Sequence, residues 1–191
     1  FVRENRWENK EGMLPLGTRV SGKRLGIVGL GRIGLAIAKR GLGFDMQIGY
    51  HNRNKRTDVD YTYLPTLVDL AKWSDFLVVA TVGGADTRQL VNREVLTALG
   101  PKGILVNIAR GPVVDETAMT ELLKSGALGG AGLDVFENEP KVPDALKQLP
   151  NAVLMPHQAS ATVETREAMF DLVKQNLAAY FAGQPLITPV N

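Results

Sequence analysis

Cysteine is absent from the 191 residues. That excludes disulfides, thiolate metal sites and a cysteine nucleophile, and it fits a reducing compartment; the cytoplasm is the expected one. Histidine is scarce, with only His51 and His157 present, so histidine chemistry has two possible positions. No metal-ligating set is read from the sequence. A dominant charge is also missing: 22 Lys and Arg against 20 Asp and Glu leave a formal net charge of +2. That points to neither nucleic acid nor a membrane surface as a partner. No apolar run reaches membrane-spanning length, and there is no internal repeat or low-complexity tract. What remains is a globular mixture, 45% hydrophobic and 22% charged, long enough to close a sizeable core.

The chain opens at Phe1 on a charged, polar stretch from Arg3 to Gly12 and reads as the middle of a longer protein. Residues 1–22 are taken as an extended or loosely helical entry segment. Trp7 is unusual in that setting. It is expected to cover a domain edge; the alternative is a residue presented to a partner subunit.

The strongest local signal is Gly29-Leu30-Gly31-Arg32-Ile33-Gly34. The apolar run Leu25 to Val28 leads in, and a helical pattern from Leu35 to Arg40 leads out. Gly29 allows a tight turn, Gly31 lets a pyrophosphate approach the main chain, and Gly34 lets the helix pack against the strand. The helix then offers unpaired N–H groups and its positive dipole end to phosphate. Such a turn can be purely structural, but here the flanks are those that dinucleotide binding requires.

A second strand is expected over Met46 to Tyr50. An NAD site places an acid ~20 residues past the glycines to hold the ribose 2′-hydroxyl. Here the chain reads His51-Asn52-Arg53-Asn54-Lys55-Arg56, with no carboxylate before Asp58. Asn52 can bond a sugar or phosphate oxygen, and Arg53, Lys55 and Arg56 bring positive charge where a 2′-phosphate would sit. The loop could be merely solvated; the missing acid and the added bases favour NADP.

Strands and helices then alternate. A helix capped by Thr66 runs over Leu67 to Trp73, and a buried strand from Asp75 to Ala80 ends in the turn Thr81-Val82-Gly83-Gly84. A helix from Asn92 to Leu99 precedes a strand from Gly103 to Ile108. Asp115 caps a helix over Glu116 to Lys124, and strands follow at Gly129 to Asp134 and Ala152 to Met155. A long helix, Val163 to Phe181, is expected to bury Met169, Leu172, Val173 and Leu177. The pattern predicts an α/β fold, a doubly wound parallel sheet, over residues 23–185.

Arg110, Glu139 and His157 each follow a separate strand, and this fold would gather them at one edge. Reducing a carbonyl by hydride transfer requires a proton for the nascent alkoxide. His51 falls at the adenosine end, so His157 is the histidine candidate; histidine titrates near neutrality. Glu139 is placed to stabilise its imidazolium form. Arg110 could clamp a carboxylate and polarise the adjacent carbonyl. Each residue also has an ordinary structural reading; together at one edge they favour catalysis.

These motifs carry a resemblance. Gly29 to Gly34, Val106 to Gly111, Gly132 to Pro140 and Pro156-His157 with Ala159 to Thr162 are together similar to the D-isomer-specific 2-hydroxyacid dehydrogenase family. Asn52-Arg53, Gly83-Gly84 and Leu186 to Val190 resemble its NADPH-dependent hydroxypyruvate, glyoxylate and hydroxyphenylpyruvate reductase branch. The resemblance implies that Arg110 orients a 2-oxo acid and that Glu139 pairs with the proton donor His157. It implies that Leu30 to Ile33 hold the pyrophosphate, that Ile108 and Asp134 contact the nicotinamide end, and that Thr81 and Val82 lie along the cofactor. Asn52, Arg53, Asn54 and Lys55 would hold the 2′-phosphate. Two departures stand out: Val82 replaces a common proline, and Gln158 follows the histidine where Ile, Val or Gly is usual. The resemblance further implies a missing substrate domain, to which residues 186–191 begin the return, and a homodimer formed through this domain. The alternatives are an NAD-dependent member of another branch and a dehydrogenase-like nucleotide-sensing corepressor.

Overall fold

The computed structural model describes residues 1–12 and 16–189; Val190 and part of the entry segment lie outside them. Residues 2–10 form turns, and Trp7 is 70% exposed. Among the described residues it is not packed as the cover of a domain edge that the sequence led one to expect.

Seven parallel strands form one sheet: β1 (Arg24–Val28), β2 (Gln47–His51), β3 (Thr62–Tyr63), β4 (Phe76–Val79), β5 (Ile104–Asn107), β6 (Gly130–Leu133) and β7 (Ala152–Leu154). Their spatial order is β3-β2-β1-β4-β5-β6-β7. The chain therefore winds outward from β1, returns, and winds out the other way. The switch between β1 and β4 opens a crevice at the carboxyl ends of the strands. The main helices are α1 (Arg32–Leu42), α2 (Leu67–Trp73), α3 (Arg93–Leu99), α4 (Glu116–Ser125), the short α5 (Asp144–Lys147) and α6 (Val163–Phe181).

Continuous apolar strands are what a sheet covered on both faces requires. Successive side chains leave a strand on opposite sides. In β1, Ile27 packs with Ile48, Tyr50 and Ala38, while its neighbour Val28 packs with Leu77, Leu96 and Leu105. In β4, Val78 joins the first cluster, and Leu77 and Val79 the second. Two cores thus clamp the sheet and fix the strand ends that carry the site.

Four helices start on a side-chain cap: Thr66, Asn92, Asp115 and Thr162 each accept a bond from an amide three residues on, as short polar residues do. Helix α1 differs: its cap residue is Gly31, with no side-chain bond.

Helix α6 forms over the expected residues, but none of them is buried. Met169, Leu172, Val173 and Leu177 are 38–56% exposed, so the expected core contacts are not made. Periodicity tells which residues share a helix face; it does not supply the layer that covers it. Among the described residues no helix is long and apolar enough to cross a membrane.

Candidate active site and dinucleotide cradle

The glycine turn begins where β1 ends. Gly29 adopts φ +94°, and a Cβ there would lie 2.7 Å from the Thr81 Cα. Only glycine allows both the left-handed angle and this backbone contact with the end of β4. At Gly34 a Cβ would lie 2.3 Å from the Gly29 carbonyl oxygen, so that glycine seats α1 against the turn. At Gly31 a Cβ would meet nothing. The space beside Gly31, at the start of α1 where no side chain caps the helix, is open, and the first amides of a helix have no intrahelical partner. The residues present fit a dinucleotide pyrophosphate, by the chemistry expected of them.

The end of β2 grips this turn. The Gly29 amide donates to the His51 carbonyl at 3.0 Å, and the Leu30 amide donates to Asn52 Oδ1 at 2.6 Å. The Asn52 oxygen therefore already accepts one bond from the protein. Arg53, Asn54 and Lys55 are exposed on the loop that follows; the Arg53 guanidinium lies 3.9 Å from the Asp86 carboxylate. Arg56, expected among the free bases, is instead bonded to Asp58 and to the Leu30 carbonyl. His51 holds the Leu64 carbonyl through Nδ1 at 2.9 Å, a structural bond.

Across the crevice, Ile33, Thr81, Val82, Gly83, Ile108 and Arg110 line one cleft. It joins the start of α1 to the ends of β4 and β5. Arg110 lies across Gly83, where a Cβ would come within 2.6 Å of its Cγ. Its guanidinium folds back to donate to the Ala109 carbonyl at 2.6 Å.

His157 and Glu139 meet directly: His157 Nδ1 and Glu139 Oε2 are 2.7 Å apart. A carboxylate only accepts, so Nδ1 carries the proton and Nε2 is left for other chemistry. The other Glu139 oxygen accepts the Phe136 amide at 3.0 Å. Burial pushes the Glu139 carboxyl up, but the bonds from His157 and Phe136 and the charges of His157 and Arg110 outweigh it and hold it below the usual range.

His157 has φ +52°, uncommon for a residue with a side chain. Buried Asp134 holds the chain there: its two oxygens accept the Gln158 amide at 2.8 Å and the Ala159 amide at 2.9 Å. The sequence marked Asp134 for the nicotinamide end; the structure engages both of its oxygens in fixing the histidine loop. The Gln158 side chain is exposed.

Two supports were not legible in the sequence. A Cβ on Gly111 would lie 1.9 Å from the Phe136 carbonyl carbon, so the backbone after Arg110 lies against the backbone leading to Glu139. Buried Glu116 accepts the Glu137 amide at 3.0 Å, and burial pushes its carboxyl up. The capping pattern placed Glu116 on a helix, but only the fold brings these loops together.

A sequence model of the D-isomer specific 2-hydroxyacid dehydrogenase NAD binding domain matches residues 1–159, through His157. The chain belongs to this family. As its NAD(P)-binding domain, the chain is 55% identical over 190 residues to the hydroxyphenylpyruvate reductase of Plectranthus scutellarioides, covering 100% of this chain and 60% of that protein. It is also 55% identical over 190 residues to a glyoxylate/hydroxypyruvate reductase of Arabidopsis thaliana, with the same coverage of 100% and 60%. Among solved structures, the NADPH-dependent glyoxylate/hydroxypyruvate reductase of Sinorhizobium meliloti, in complex with NADP and malonate, superposes with a TM-score of 0.93 at 50% identity, covering 99% of this chain and 59% of that one. The chain thus spans about three fifths of the length of the relatives it matches.

Proposed function

We propose that the chain is the cofactor half of a two-domain reductase that uses NADPH to convert a 2-oxo acid, such as glyoxylate, hydroxypyruvate or an aryl-pyruvate, into a D-2-hydroxy acid. Its boundaries follow the sequence reading: an entry segment over 1–22, the dinucleotide domain over 23–185 and a return from 186 toward a substrate domain. The observation that carries the reading is the 2.7 Å contact between His157 and Glu139 at the carboxyl edge of a dinucleotide fold.

The reduced nicotinamide would supply the hydride. The protein's residues do the rest. His157, protonated, gives the Nε2 proton to the alkoxide oxygen and becomes neutral, keeping Nδ1–H on Glu139. Glu139 stabilises the charged imidazole beforehand and orients the ring throughout. Arg110 pairs with the substrate carboxylate and draws electron density from the neighbouring carbonyl. Gly29 to Gly34 hold the pyrophosphate, and Ile108, Thr81 and Val82 line the path of the cofactor. Arg53, Asn54 and Lys55 form the 2′-phosphate contact; the absence of an acid there and the solvent-facing guanidinium of Arg53 support NADPH over NADH. Asn52 serves that site from behind, through Leu30. We read the protein as a cytoplasmic homodimer joined through this domain; the exposed apolar face of α6 supports the pairing.

Turnover of several 2-oxo acids with each nicotinamide cofactor tests the reading. Reduction with NADPH that His157→Ala abolishes is the expected result. Absence of turnover on every 2-oxo acid, or activity indifferent to His157, would overturn it and favour a nucleotide sensor.

A further inference from the structure

Arg56 directs all three of its guanidinium nitrogens at the protein. Its Nε donates to Asp58 Oδ1 at 2.9 Å, and its Nη2 bonds the other Asp58 oxygen. Its Nη1 donates to the Leu30 carbonyl at 2.9 Å. Its backbone is held as well. The Arg56 amide donates to the hydroxyl of buried Tyr50 at 2.9 Å, and that hydroxyl donates to the Arg56 carbonyl at 3.3 Å. The side chain is 27% exposed, against 85% for Arg53. The hydrogen bond from Arg56 holds the Asp58 carboxyl below its usual range.

Leu30 is the second residue of the glycine turn, and the end of β2 with the segment after it holds the turn at three points. The Gly29 amide is on His51, the Leu30 amide is on Asn52 and the Leu30 carbonyl is on Arg56. A turn that must present its next amides to a phosphate loses affinity if it samples other conformations before binding. Three bonds from one neighbouring segment remove that freedom in advance.

We propose that Arg56 is a positioning residue for the pyrophosphate cradle and takes no part in the 2′-phosphate contact: it locks Leu30, and so makes the affinity for both nicotinamide dinucleotides depend on the segment after β2. The proposal rests on the reading of residues 29–34 as the pyrophosphate cradle. It gives the basic loop two functions, with Arg53 and its neighbours discriminating between cofactors and Arg56 shaping the turn that both cofactors share.

The test is dissociation constants of NADPH and NADH for the parent, Arg56→Met, Arg56→Lys, Tyr50→Phe and Arg53→Ala, with hydrogen exchange at the Leu30 amide measured without any cofactor. Arg56→Met is expected to weaken both cofactors alike, roughly tenfold, from the loss of a charge-assisted hydrogen bond. It should speed Leu30 exchange by a similar factor and leave Ile27, inside β1, unchanged. Arg56→Lys retains one donor and restores most of the affinity. Tyr50→Phe keeps the buried ring and shows the same pattern, less strongly. A loss confined to NADPH on Arg56→Met would make Arg56 a phosphate contact and overturn the proposal; so would unaltered Leu30 exchange. Arg53→Ala is scored separately: if it fails to discriminate between the cofactors, the phosphate reading falls while the role of Arg56 stands.

Discussion

The imidazole of His157 and the carboxylate of Glu139 lie 2.7 Å apart although 18 residues separate them. Neither is rigid by itself. The Phe136 amide fixes the acid and Asp134 fixes the loop of the base, so the pair is held from both sides. Glu139→Gln keeps the shape and removes the charge. Turnover is expected to fall about a hundredfold, the lower end of a general-acid contribution.

The same pair sets an acid limit. The Glu139 carboxyl is held below its usual range by His157, Phe136 and Arg110 against the opposing effect of burial. A depressed folded-state value means that the stabilisation is fully present above the ordinary carboxylate value and is lost as pH falls through the folded one. In His157→Asn the carboxyl should titrate at higher pH than in the parent, because burial remains and the strongest opposing partner is gone. Carboxyl carbon NMR across an acid titration reads this directly; an unmoved midpoint would contradict the pairing.

Asp134→Ala leaves the Gln158 and Ala159 amides without their acceptor in a half-buried setting. The expected cost is about 1–3 kcal/mol in denaturant unfolding. Turnover should drop further than stability accounts for, because the left-handed backbone of His157 loses its restraint.

Gly111→Ala would drive a methyl into the Phe136–Glu137 peptide. Backbone cannot yield as a flexible side chain does, so destabilisation of about 1–3 kcal/mol or more is expected. The segments carrying Arg110 and Glu139 separate together, so substrate KM and kcat should both worsen.

Arg53→Ala is expected to weaken NADPH roughly ten- to a hundredfold and spare NADH, the range for one charge-assisted bond to phosphate. Fluorescence titration with each cofactor checks it. Equal losses would place the phosphate elsewhere.

Asp75 joins the starts of β1 and β4, accepting the Arg24 amide at 2.9 Å and its Nε at 3.3 Å. Burial raises its carboxyl, and these bonds lower it by more. Asp75→Asn should cost about 1 kcal/mol near neutrality, since the Arg24 end is open to solvent screening. The gap between parent and variant should close as pH falls through the depressed value of the parent, because protonation there removes the same charge. Urea unfolding over a pH series measures it.

Local chemistry made much of this legible. The glycine spacing marked the turn at Gly29, and short polar residues before apolar periods marked the caps at Thr66 and Asp115. Continuous apolar runs marked buried parallel strands. Strand ends shifted by a residue, as they do where pairing partners decide the boundary. The partners of Arg56 were not legible for a different reason: a base beside a phosphate site looks the same in sequence whether or not it also bonds the Leu30 carbonyl. Resemblance placed Asp134 at the nicotinamide end; that its two oxygens also hold the Gln158 and Ala159 amides was not legible, because resemblance carries no hydrogen-bond partner.

By itself the sequence determined the alternation of strands and helices, the turn that cradles phosphate and the identities of Arg110, Glu139 and His157, because these follow from backbone preferences, periodicity and side-chain chemistry over a few residues. Only the tertiary structure decided which of them touch. Pairings of His157 with Glu139, Gly111 with Phe136 and Arg56 with Leu30 span 18 to 26 residues, and strand order alone brings those segments within reach. The same limit explains α6: its apolar face is written in the sequence, and what covers that face is a property of packing.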